Sequence, residues 1–211
     1  MMKRFETNEE KKIDLWRFER EACEAGFLLV AGTDEAGRGP LAGPVAAGAV
    51  ILPFGIGIPG LDDSKKLSEK KREALYPVIR EKAIASAVAF ASVEEIEEMN
   101  ILRASQLAMR RAVAALSPTP DFLLVDGNVS DGFPMPDRTV VKGDALSASI
   151  AAASILAKVE RDRLMDRYAE EYPGYGFEKH KGYPVPAHYE AIRILGPTPI
   201  HRMSFLKKKH G

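Results

Sequence analysis

The sequence predicts an α/β fold: a mixed central sheet flanked by helices. Short apolar runs of strand length alternate with longer segments of helical periodicity. The first two runs are separated by a turn-rich stretch, which pairs them as a hairpin and makes the sheet mixed rather than parallel. Three runs lead into an aspartate, and in open α/β sheets ligands bind where strands end.

Residues 9–25 form a short charged helix, docked by Trp16, Phe18 and Ala22 and stopped by Gly26. Leu28–Thr33 is a buried strand running into the turn Asp34-Glu35-Ala36-Gly37-Arg38-Gly39-Pro40. Val45–Leu52 is a second strand ended by Pro53, and Gly55–Asp62 is a Gly/Pro loop. Ser68 N-caps a helix that reaches Lys82. Ala85–Ala91 is a third strand of small residues. Ser92-Val93-Glu94-Glu95 carries the capping-box pattern and opens a short helix. Ile101–Leu116 follows as a longer helix, with Ile101, Ala104, Ala108 and Ala112 on one face, and is stopped by Pro118 and Pro120. Phe122–Val125 is a strand ending at Asp126-Gly127-Asn128, and Thr139–Val141 is another ending at Lys142-Gly143-Asp144. Leu146–Glu171 is the longest helix, rich in Ala and Ser first and charged later. Pro186–Leu195 is the last, closed by Gly196 and Pro197.

At roughly 150 residues per domain, 211 residues make one folded unit, with 1–27 as an N-terminal helical extension and 206–211 as a basic tail. Hydrophobic residues at 45% and charged residues at 28% exclude the disordered, collagen-like and disulfide-scaffold classes. Thirty Lys and Arg balance thirty Asp and Glu, so nucleic acid is held by local patches and not by a global basic field. The same balance, with no heptad pattern, predicts a monomer. Cys23 is the single cysteine and fits a reducing compartment. The longest apolar stretches, Leu41–Phe54 and Ala148–Ala157, fall short of the roughly 20 residues of a membrane span. The charged N-terminus lacks the apolar run of a signal peptide. The expectation is a cytoplasmic protein without a membrane partner, and the short tail shows no peptide for a protein partner.

Asp34 with Glu35, Asp126 and Asp144 are carboxylates at the ends of buried-looking strands. A lone Asp after a strand is commonly a turn former or a cap. Three such positions with adjoining glycines point instead to a shared site. Converging carboxylates raise one another's pKa, and a hard divalent cation relieves the repulsion. Two such ions, roughly 3.5–4 Å apart, clamp a phosphodiester. Gly37-Arg38-Gly39 lets backbone amides approach a phosphate or hydroxyl closely, although alone it is an ordinary tight turn before Pro40.

The run Asp34-Glu35-Ala36-Gly37-Arg38-Gly39-Pro40-Leu41-Ala42-Gly43-Pro44-Val45 closely resembles the signature of ribonuclease HII. The resemblance continues through Asp63-Ser64-Lys65-Lys66-Leu67, Leu124-Val125-Asp126-Gly127 and Lys142-Gly143-Asp144. Further blocks run from Ala152 to Asp162, from His180 to Tyr183 and from His201 to Phe205. It implies a ribonuclease H-like fold and a single catalytic domain over 1–211. The implied activity is cleavage of the RNA strand of RNA–DNA hybrids and nicking of duplex DNA 5′ of embedded ribonucleotides, leaving a 3′-hydroxyl and a 5′-phosphate. Asp34, Glu35, Asp126 and Asp144 match the family's catalytic, metal-holding acids, with Mg²⁺ or Mn²⁺ as cofactor and two ions once substrate is bound. Gly37, Arg38 and Gly39 match its glycine-arginine-glycine motif and Tyr183 its substrate-sensing tyrosine. A 2′-OH is what separates RNA from DNA at one site, and the resemblance implies that these four residues read it, the ring packing on the next, deoxy, sugar. Two rivals stay open: a binding module of the same fold, and a nuclease of the fold that prefers long hybrids.

Ser64 and Lys65, with Lys66, Lys70 and Lys71, form a basic cluster suited to substrate phosphates, or a solvated helix start. Lys181 beside Tyr183 is a further phosphate candidate. Lys158 stands four residues before Asp162, which offers a local pair. His180 and His201 sit in no triad or metal spacing and read as packing or surface residues. Gly55-Ile56-Gly57-Ile58-Pro59-Gly60 matches a dinucleotide fingerprint, but no helix pattern follows. The Ser-x-x-Lys spacings at Ser68 and Ser204 lack the rest of that enzyme class, and the sequon at Asn128 has no secretion signal with it.

Overall fold

The structure, a computed structural model, describes residues 13–62 and 64–207. The readings that touch residues 9–12, Asp63, Lys208, Lys209 and His210 lie outside them.

Five strands form one sheet in the order β3-β2-β1-β4-β5: β1 (Val30–Ala36), β2 (Val45–Ile51), β3 (Ala85–Ala91), β4 (Phe122–Asp126) and β5 (Asp137–Val140). β2 runs antiparallel to β1 and β3, whereas β1–β4 and β4–β5 are parallel. The sheet is mixed, as the alternation of runs predicts.

Helices cover both faces. The helices α3 (Val93–Met99) and α4 (Ile101–Ala114) put Ile96, Ala104, Ala108, Met109, Ala112 and Val113 against one face of β1–β4. On the other, α5 (Ala148–Glu171) and α2 (Glu69–Lys82) cluster around Val50. β2 is covered on both sides, so all its residues are buried and it reads as a continuous apolar run. The Ala/Ser-rich start of α5 has a packing reason. A Cβ on Gly32 would stand 2.3 Å from the Ile150 amide nitrogen, and one on Gly48 would stand 2.2 Å from the Ala153 carbonyl oxygen. Small residues on both partners let the helix lie directly on the sheet, which brings Ser154 to the strand ends.

The local signals fold as expected at several ends. Ser68 Oγ accepts from the Lys71 amide, and Ser92 and Glu95 complete a capping box. α7 (Pro186–Leu195) ends at Gly196. Elsewhere the structure corrects the reading. β1 does not stop at Thr33: Asp34, Glu35 and Ala36 stay paired with Gly48, Ala47 and Ala46, because an antiparallel partner continues past them. The N-terminal helix α1 covers only Arg17–Glu24, since the Asp14 carboxylate accepts from the Trp16 amide and holds a turn before it. Three short elements are new: a 3₁₀ turn at Gly143–Ala145, α6 (Phe177–His180) and α8 (Met203–Lys207). Each is too short to show a period in sequence. Lys207, read as part of the basic tail, is the last residue of α8.

Candidate active site

β1 and β4 are parallel neighbours in a register that pairs Thr33 with Val125. The next residues, Asp34 and Asp126, are therefore side by side where β4 ends. Asp144 reaches the same place from the 3₁₀ turn. Asp126 Oδ1 accepts from the Gly143 amide at 2.6 Å and from the Asp144 amide at 3.4 Å, which ties that turn to the strand end. Lys142, with φ +59°, makes the sharp entry. Glu35 follows Asp34 in β1, and Arg38 Nη1 lies 3.3 Å from its Oε1.

Asp34, Glu35 and Asp126 open into a cleft of about 270 Å³ also lined by Gly37, Arg38, Gly39, Ser64, Lys65, Lys158 and Tyr183, while Asp144 stands behind it, bonded to Lys65 of the lining. A Cβ on Gly39 would stand 3.6 Å from Tyr183 Cε1, so loop and ring are in contact range. Ser64 Oγ and Ser154 Oγ are 2.7 Å apart, one donating to the other. Lys65 Nζ donates to Asp144 Oδ2 at 2.7 Å and binds Asp144 to the rim. Lys158 Nζ pairs with Asp162 at 2.5 Å, the local bond that its spacing offers. Lys181 departs from expectation: it does not line the cleft, and its ammonium is bound to Asp166 of α5. A cavity of about 360 Å³ elsewhere, lined by residues such as Phe90, Arg111 and Tyr168, holds none of the four acids.

The acid cluster is costly as anions. Burial first, then the Glu35 and Asp126 carboxylates, hold the Asp34 pKa well above the ordinary carboxylate range. Burial raises Glu35, opposed by Arg38 and helped by Asp126. Burial and the Asp144 carboxylate raise Asp126, opposed by the Gly143 and Asp144 amides. Asp34 Oδ2 is buried without a hydrogen-bond partner. Hard oxygen donors, mutual repulsion and an orphaned carboxylate oxygen together fit a divalent cation. The coordination sphere is not preassembled: among the described residues no group of three acidic, His or Cys side chains is arranged to hold an ion. Lys65 on Asp144 and Arg38 on Glu35 supply the positive charge instead.

The family described as ribonuclease HII matches residues 31–208 by its sequence profile. The chain belongs to the ribonuclease HII family. Ribonuclease HII of Marinomonas sp. (strain MWYL1) is 64% identical over 178 residues, covering 84% of this chain and 89% of that one. The crystal structure of ribonuclease H2 from Pyrococcus horikoshii OT3 superposes with a TM-score of 0.71 at 28% identity, over 86% of this chain and 96% of that one. The RNase HII of Archaeoglobus fulgidus, solved in complex with PCNA, gives 0.66 at 28% identity, over 83% and 94%. The fold is the ribonuclease H-like fold expected. Ribonuclease HII enzymes are divalent-metal-dependent endonucleases that cleave the RNA strand of RNA–DNA hybrids, and this chain is such a nuclease.

Two residues of this ribonuclease HII site escape a reading by residue type. Arg161 and Arg202 are fully buried. Their hydrogen bonds run to backbone carbonyls. Arg161 donates to Ala42, Pro44 and Lys181 at 3.0–3.1 Å. Arg202 donates to Gly37 at 2.7 Å, Arg38 at 3.0 Å and Gly43 at 2.9 Å. The Gly37 and Arg38 carbonyls share peptide planes with the Arg38 and Gly39 amides. Holding the carbonyls on Arg202 therefore points those two amides the opposite way. In the sequence both arginines lie in blocks of the family resemblance, Ala152 to Asp162 and His201 to Phe205, which gave them no role. No helix among the described residues is long and apolar enough to cross a membrane.

Proposed function

We propose that this ribonuclease HII nicks duplex DNA on the 5′ side of an embedded ribonucleotide, as well as cutting the RNA strand of hybrids, and leaves a 3′-hydroxyl and a 5′-phosphate. The observation that carries it is the sharing of one cleft by Asp34, Glu35 and Asp126, the Gly37–Gly39 loop and Tyr183. Asp34, Glu35, Asp126 and Asp144 would hold two divalent ions, Mg²⁺ or Mn²⁺, which would supply an activated water and charge stabilisation at the leaving oxygen. Asp34 and Asp126, adjacent across β1 and β4, are the carboxylates placed to meet both ions. The Arg38 and Gly39 amides read the 2′-hydroxyl, and the Tyr183 ring packs on the next deoxyribose. Lys65 and Ser64 bind the backbone phosphates on the rim, Lys65 exchanging its Asp144 partner for phosphate. Lys181 holds the loop beneath Tyr183 through Asp166 instead of meeting phosphate.

The chain acts as one catalytic domain over 1–211 and as a monomer, on RNA–DNA hybrid or ribonucleotide-containing duplex, in the cytoplasm. The test is a duplex DNA carrying one ribonucleotide, with all-DNA duplex, EDTA and Asp34→Asn as controls. A metal-dependent nick 5′ of the ribonucleotide, absent from each control, is the expected result. Folded protein that binds this duplex without cutting it, with either metal, overturns the reading.

A further inference from the structure

His188 and His201 are buried, lie outside the cleft and touch none of its acids. They are bonded to each other and to the turn that carries Tyr183. The Thr198 amide donates to His201 Nδ1 at 2.8 Å. That nitrogen is thereby an acceptor, so the neutral ring carries its proton on Nε2. His201 Nε2 lies 3.1 Å from His188 Nε2, which must then accept and leave the His188 proton on Nδ1. His188 Nδ1 lies 3.0 Å from the Tyr183 carbonyl oxygen and donates to it. Thr198, through its amide and through its hydroxyl 2.8 Å from the same nitrogen, thus sets the tautomers of two imidazoles in series. A second proton on either ring would put two N–H groups face to face or one against the Thr198 amide. Burial agrees with the neutral forms, holding His201 down to about 4 and His188 below its ordinary value.

The receiving carbonyl is a special one. The turn passes through Lys181 at φ +50° and Gly182 at φ +81°. Its earlier carbonyls are tied: His180 to the Tyr183 amide at 2.8 Å, Lys181 to Arg161 at 3.0 Å and Gly182 to the Leu41 amide at 2.8 Å. The Tyr183 carbonyl belongs to the peptide bond with Pro184, which has no N–H by which its plane can be held. The plane is held only from its oxygen, by His188 and by the Val185 amide at 2.9 Å.

We propose that His201 and His188 are positioning residues, a neutral imidazole relay anchored on Thr198 that sets the backbone angle of Tyr183 and so the placing of its ring beside Gly39. The proposal rests on the reading of Tyr183 as the ribonucleotide sensor. The relay then governs discrimination, the ratio of kcat/KM on a duplex with one ribonucleotide to kcat/KM on a long RNA–DNA hybrid, rather than hydrolysis itself.

The experiment measures that ratio for the full-length wild type, His201→Gln, His201→Met, Tyr183→Ala and the Tyr183→Ala/His201→Met double variant. Gln keeps a donor at the Nε2 position and Met fills the space without one. His201→Met is expected to lower the ratio about tenfold, the scale of one lost buried hydrogen bond, and His201→Gln to stay within about threefold of wild type. The double variant is expected to match Tyr183→Ala. If Tyr183→Ala leaves the ratio unchanged, the sensor reading fails and takes the relay's purpose with it. If Tyr183→Ala lowers the ratio while His201→Met slows both substrates equally, or neither, the relay alone is overturned. Imidazole ¹⁵N shifts of the wild-type protein at pH 7 decide the case even if His201→Met does not fold. The Nε2–H form of His201 with the Nδ1–H form of His188 supports the relay. Any other pairing, or a charged ring, overturns it.

Discussion

The guanidinium of Arg161 occupies the place where a side chain on Gly37 would stand: a Cβ there would lie 2.0 Å from Arg161 Nε. Gly37 also has φ +98°, a conformation that costs an L side chain on its own. The two constraints are separate, and together they make the loop and the buried arginine one unit. Gly37→Ala must push Arg161 off the carbonyls of Ala42, Pro44 and Lys181. The expected cost is about 2–4 kcal/mol, from backbone strain plus buried groups left unpaired, with activity falling as the amides turn. Chemical denaturation checks the first and single-ribonucleotide cleavage the second. A neutral outcome would mean the loop has another conformation available.

Asp126→Asn, or Asp34→Asn, is expected to abolish turnover while keeping or raising the melting temperature without metal. The folded pKa of each acid lies above its unfolded value, so at neutral pH its ionised form opposes folding. The amide removes that cost. Activity should drop on the order of 10³-fold, the scale of losing one preorganised charge-stabilising group. A large fall in melting temperature would show that the carboxylate is structural.

Divalent cations should stabilise the wild-type protein for the same reason. At a free concentration about a hundred times the dissociation constant, one site adds about 2.7 kcal/mol. The melting temperature in Mg²⁺ or Mn²⁺ is therefore expected to exceed that in EDTA, and Asp34→Asn to lose most of the difference. Equal shifts in both proteins would place the ions elsewhere.

Much of this was legible in the chain. Periodicity and caps gave the strand–helix alternation, and four acids with a glycine-rich loop marked the site. Asp34 and Glu35 were placed one element too late, since only pairing to Gly48 and Ala47 keeps them in β1. Lys181 looked free because its partner Asp166 is fifteen residues away on α5. Arg161 and Arg202 were illegible for a deeper reason. A buried cation hydrogen-bonded to carbonyls and, among the described residues, paired with no carboxylate contradicts the usual expectation from residue type, and the carbonyls come from loops that meet only in the folded chain.

The histidine pair adds an acid-side weakness opposite in sign to the carboxylates. His201 titrates at about 4 in the folded protein, against about 6.5 when unfolded. A depressed folded pKa means stability that is complete above 6.5 and lost as pH falls through 4, because the unfolded chain takes up protons first. Burial depresses His188 in the same direction. The raised carboxylates do the reverse, recovering stability as they are protonated on the way down. In EDTA the two effects oppose each other as the pH falls, and variants separate them. Asp34→Asn removes part of the acid-side gain, so its stability should fall more steeply with acid than that of the wild type. His201→Gln removes one titrating ring, so its stability should fall less steeply. Parallel curves for His201→Gln and wild type, read as denaturation free energy against pH, would show that the buried pair carries no proton linkage.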